Sequence, residues 1–82
     1  MKYIVARDSD GNEEMFIFSN KIYHSCFAES IEGIRNHDDN NWERVFRQPV
    51  SAGFIVNGEC TGRSESLDLD SRPQDTLIFK NM

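Results

Sequence analysis

The stretch Val50-Ser-Ala-Gly-Phe-Ile-Val-Asn-Gly-Glu-Cys-Thr-Gly-Arg-Ser64 decides the fold. Its Asn57-Gly58 pair separates two runs with strand chemistry. Asn and Gly both reach positive φ at low cost, as the two central residues of a type I′ turn require. The expected strands lie near Ser51–Val56 and Glu59–Arg63, so the chain contains an antiparallel hairpin.

Upstream, Trp42 to Arg47 alternates, with Trp42, Arg44 and Phe46 on one face and Glu43, Val45 and Arg47 on the other. Trp42 and Phe46 are core candidates on that strand. Pro49 has no N–H for a ladder, so it is expected to end the strand or place it at an edge. Between Asn20 and Asn36 the period changes. Tyr23, Phe27, Ile31 and Ile34 recur at helical spacing, with Cys26 on the same stripe, Ser25 as an N-cap candidate and Asn36 as a stop. Gly33 weakens that helix by about 1 kcal/mol relative to Ala. His37-Asp-Asp-Asn-Asn41 reads as a polar loop.

At the N-terminus, Lys2 to Arg7 and Glu13 to Phe18 read as strands joined by the turn formers Asp8-Ser-Asp-Gly-Asn12. Both faces of these strands are apolar, which implies a central place in a sheet or a dimer contact on the second face. Downstream, Ser64 to Asp70 alternates Leu67 and Leu69 with acids. Ser71-Arg-Pro-Gln74 resembles a helix start with a Ser cap, and Thr76-Leu-Ile-Phe79 reads as a helical turn or a last strand. The expected architecture is one α+β domain over residues 1–82. It has an antiparallel sheet of about four or five strands from two hairpins and one α-helix on one face, in the order β-β-α-β-β-β.

A chain of 82 residues buries only about 60% of its unfolded surface, so its core is small. A hydrophobic content of 38% with six Phe, two Tyr and one Trp still suffices for a globular domain rather than a disordered one. The net charge of −5 disfavours non-specific binding to nucleic acid or to anionic membranes. No apolar run approaches the ~20 residues of a spanning helix, and the N-terminal apolar run is too short for a signal peptide. Cys26 and Cys60 lack C-x-x-C spacing and read as reduced thiols in a cytoplasmic protein.

Motifs for catalysis are missing. Asp8-Ser-Asp-Gly-Asn12 fails as an EF-hand, which needs Gly at position six and Glu at twelve, where this chain has Asp at its third position, Gly at its fourth, and Ser19 at its twelfth. His24, Cys26 and His37 lack the paired spacing of structural zinc. Cys60-Thr-Gly-Arg63 is too short for a phosphatase loop, and a Cys–His nucleophile pair has no support beyond the residues' presence. No catalytic residue, metal or cofactor is expected. An enzyme reading would require a structure that places a His and a carboxylate in one cleft.

Ser51-Ala-Gly-Phe54, Gly62-Arg-Ser-Glu-Ser-Leu67 and Ser71-Arg-Pro-Gln-Asp-Thr76 resemble a pattern in short uncharacterised proteins of tailed bacteriophages and prophages. The resemblance covers about residues 44 to 76, with a looser echo at Lys2 to Glu14. It implies a phage or prophage origin and action in a bacterial cytoplasm, and transfers no catalytic residue. The expected function is that of a small non-enzymatic accessory protein engaging a host or phage protein. The expected interaction surface is Trp42, Arg44, Arg47, Arg63 and Arg72, since Trp and Arg dominate binding hot spots. The alternative is a nucleic-acid-associated protein using Arg44, Arg47, Arg63 and Arg72, although Arg63 and Arg72 also have Glu65, Asp68, Asp70 and Asp75 to pair with. A homodimer is also expected from the two-faced strands.

Overall fold

The computed structural model describes residues 1–31, 33–38 and 41–82, with 33–38 and 41–45 as backbone. Strands β1 (Lys2–Asp8) and β2 (Glu13–Phe18) form the N-terminal hairpin, followed by α1 (His24–Ile31), β3 (Gly33–Asp38) and β4 (Asn41–Val45). The chain continues through β5 (Arg47–Val56), β6 (Glu59–Thr61), β7 (Arg63–Ser64), β8 (Leu69–Asp70) and α2 (Pro73–Lys80). The main sheet is antiparallel, in the order β2-β1-β5-β6, while β3 with β4 and β7 with β8 form two small ladders. The α+β architecture with an antiparallel sheet is as the sequence indicates, with two helices rather than one.

The Asn57-Gly58 turn joins β5 to β6 with Val56 opposite Glu59, and both turn residues have positive φ, 53° and 79°. The first hairpin closes on Asp8, whose Oδ1 accepts the backbone N–H groups of Asp10 and Asn12. Gly11 supplies a positive φ of 86° there. This loop is therefore a side-chain-bonded turn.

Strand β1 is central, and both its faces are buried. On one face Ile4 and Ala6 pack with Phe18, Ile31 and Ala52, and Phe27 of α1 stacks on Phe18 with ring centroids 4.2 Å apart. On the other, Tyr3, Val5 and Met15 pack against Ile78 and Phe79 of α2. The second apolar face, read from the sequence as a reason for dimerisation, is covered by the chain's own C-terminal helix.

Several expectations are corrected. The helix runs over His24–Ile31, not Asn20–Asn36. Ser19 turns the chain first, its Oγ accepting from Lys21 N and its carbonyl from Ile22 N, so Tyr23 lies outside the stripe and is 71% exposed. Gly33 disfavours continuation, and Gly33–Asp38 pairs with Asn41–Val45 instead, which takes Ile34 and His37 into strand. Ser25 lies inside the helix, Cys26 is exposed, and the Trp42 strand stops at Val45, leaving Phe46 exposed between strands.

Pro49 lies inside β5 without ending it. The register steps from Val5–Ser51 to Ala6–Pro49, so Val50 is an extra residue and Pro49 sits beside a bulge, where its missing N–H is tolerated.

Gly53 fixes the approach of β6. A Cβ there would collide with the Thr61 carbonyl oxygen and lie 3.3 Å from a Tyr3 ring carbon. Gly53→Ala is expected to lower stability by about 1–3 kcal/mol, read as an earlier urea midpoint with an unchanged m-value; an unshifted midpoint would show that β6 yields freely.

Candidate functional site

The arginines of the expected surface are scattered and tied down. Trp42 and Arg44 have side chains outside the described residues. Arg47 donates from Nη1 to the Ile31 carbonyl at 2.9 Å and lies over the Phe16 ring. Arg63 pairs with Asp68 across the β7–β8 hairpin and lies 3.8 Å from Asp70. Arg72 meets Asp75 and Glu13 at the start of α2. Arg47 therefore serves the α1 face of the sheet and Arg72 the α2 face.

Arg72 belongs to a connected network. It is the residue before the first turn of α2, in place of the expected Ser71 cap, with Pro73 next. Asp75 is fully buried. Its Oδ2 accepts Tyr3 Oη–H at 2.7 Å and the Arg72 backbone N–H at 2.9 Å, and its Oδ1 accepts Arg72 Nε–H at 3.0 Å. The outer edge of the Arg72 guanidinium donates to both Glu13 oxygens, and Arg7 donates to Glu13 Oε2 from the other side. The two guanidinium groups hold the Glu13 carboxyl at about 2. Burial and the Asp75 carboxylate push the Tyr3 phenol far up, so it keeps the proton that it donates to Asp75.

The second feature is a cleft of about 410 Å³ walled by Lys2, Tyr23, Phe54, Arg63 and Glu65, with His24 beneath. His24 begins α1, is 4% exposed, and sits edge-on to Phe18 and Phe54. Its Nε2 lies 3.0 Å from the Gly53 carbonyl, which fixes the neutral ring with Nε2 as donor. Burial lowers its pKa from 6.5. Ser64 Oγ accepts from Leu67 N, and Ser66 Oγ from Ser25 N. The cleft thus brings His24 and Glu65 to one place, while both serine hydroxyls and the imidazole Nε2 are hydrogen-bonded to backbone groups. Burial also raises the Cys60 thiol above its ordinary range, which works against a thiolate.

The third feature is a groove of about 550 Å³ between β2 and α2, lined by Glu13, Glu14, Met15, Gln74, Leu77, Ile78, Asn81 and Met82. Leu77 and Met82 are 62% and 71% exposed. Strand β2 ends the sheet and pairs only with β1 among the described residues. The sequence reading missed this groove because it depends on Thr76–Phe79 being helical; Leu77 beside Ile78 and Phe79 was the available signal. Comparison with known proteins found no matching family model, curated protein or solved structure.

Tyr3→Phe removes one donor from the buried Asp75 and is expected to cost about 1–3 kcal/mol. Asp75→Ala should cost about 3–5 kcal/mol, because it strands Tyr3 and Arg72 together. Chemical denaturation of both single variants and the double variant checks this, and additive losses would dissolve the network. On acidification, the unfolded chain protonates His24 before the folded one does, so stability is full above pH 6.5 and declines below it. A second decline follows as pH falls from 4.5 towards 2, where Glu13 loses its advantage. Thermal melts of the wild type and His24→Gln across this range should differ in the first decline only.

Proposed function

We propose that this chain is a small non-enzymatic binding protein that engages another protein through the groove between β2 and α2. The observation that carries this reading is the open edge of β2 beside an apolar groove with Leu77 and Met82 exposed along it. Exposed large apolar residues gathered at one place favour a protein contact over plain solvation. The reading away from catalysis rests on His24 Nε2, Ser64 Oγ and Ser66 Oγ in the cleft, each hydrogen-bonded to a backbone group. The reading away from nucleic acid rests on Arg47, Arg63 and Arg72, each paired with a carboxylate. The likeness of residues 44 to 76 to short tailed-phage proteins supports an accessory role inside a bacterial cell.

Affinity capture from bacterial lysate with the wild type and with Leu77→Glu tests this function. Leu77 is mostly exposed, so the variant should keep its melting temperature while losing the captured protein. Capture of nothing above background at several salt concentrations, or equal capture by both chains, contradicts it. So does a low-salt gel shift that exceeds any protein binding.

A further inference from the structure

We infer that the partner binds as an extended, cationic segment that adds a strand to the outer edge of β2; this rests on the groove being the binding surface. Strand β2 offers six residues, Glu13–Phe18, without proline or bulge in its pairing with β1. Its outer row of N–H and C=O groups is a template for one more strand.

The alternation of β2 dictates the chemistry of that strand. Met15 faces α2, and a strand laid beside it sets every second side chain against Met15, Leu77 and Met82. Those positions call for apolar residues. The intervening positions point to the opposite face, beside Glu14. Glu13 is already spent on Arg7 and Arg72. Glu14 is held more loosely: its side chain is 59% exposed and, among the described residues, it meets one cation, Arg47 at 3.7 Å, which leaves carboxylate surface open to a second. A lysine or arginine directly across the strands meets that carboxylate at cross-strand distance.

Charge also chooses between occupants. No Lys or Arg lines the groove, and β2 itself carries two acids and no base. A second copy pairing through β2 therefore brings no cation to Glu14 and adds another −5 to a chain of −5. A basic segment of a different protein complements the site.

A displayed library of random twelve-residue peptides, selected on the intact protein, supplies the probe. Enriched peptides should alternate apolar residues with Lys or Arg. Glu14→Lys should weaken them about tenfold at low salt, with the gap narrowing as salt rises. N-methylation of alternate peptide amides should abolish binding of one register, and peptide should slow exchange of the β2 amides that do not bond to β1. Enrichment of acidic peptides, of peptides with helical periodicity, or of none at all overturns strand addition. Tolerance of N-methylation on both registers does the same. A concentration-dependent dimer with protected β2 amides would assign the edge to a second copy. If lysate capture still depends on Leu77 while the peptides fail, strand addition is wrong and the groove reading stands; if neither responds to Leu77→Glu, the groove itself is the wrong surface.

Discussion

A carboxylate with no access to water holds this structure together. Asp75 is accommodated in the interior by Tyr3 and two groups of Arg72, which donate to it from positions far apart in the chain. Burying a charge without such partners costs several kcal/mol. The requirement therefore works as a positional constraint more than as a source of stability: α2 has one place on the sheet where its acid is satisfied. Ile78 and Phe79 then cover Tyr3 and Val5, and the outer rim of Arg72 reaches Glu13 on β2. The width of the groove between β2 and α2 is thus set by an ion network behind it.

That arrangement separates scaffold from surface. Arg47, Arg63 and Arg72, which look available in the sequence, hold carboxylates and a carbonyl, and their removal acts first on the fold. His24 likewise has a structural part, since its imidazole ties α1 to the Gly53 carbonyl of β5. Among the described residues, the β2 edge offers open backbone, a Glu14 carboxylate held only loosely by Arg47, and the exposed Leu77 of α2. Recognition by main-chain pairing needs few special side chains, which fits a chain whose sequence carries no motif for chemistry.

Much of the fold was legible in the sequence, because the signals were local. Asn57-Gly58 specifies a tight turn by backbone preference, Asp8-to-Asn12 by the Asp8 carboxylate and Gly11, and the apolar runs flanking that loop fixed β1 and β2. The errors arose where tertiary structure outweighed local pattern. Tyr23 and Ile34 complete a helical stripe in the sequence, but Ser19 turns the chain before the first and Gly33 releases it before the second. Pro49 was read by its missing donor, although a bulge opposite Ala6 accommodates it. The candidate site was less legible still. Whether Leu77 lies in a strand or on the outer side of a helix depends on Asp75 finding Tyr3, a contact across 72 positions of sequence.

That separation bears on how the chain assembles. Strand β1 is made before β5 and α2, yet its neighbour β5 pairs Lys2 with Phe54, and its second face waits for α2. During synthesis the first hairpin must exist with apolar side chains on both sides and no lid for either. Long-range closure of this kind is slow and leaves strand edges exposed in the meantime. The acids at Glu13 and Glu14, and the flanking Lys2 and Arg7, act in that interval as gatekeepers that discourage nascent hairpins from adhering to one another. The same glutamates that border the mature groove thus protect its unfinished precursor.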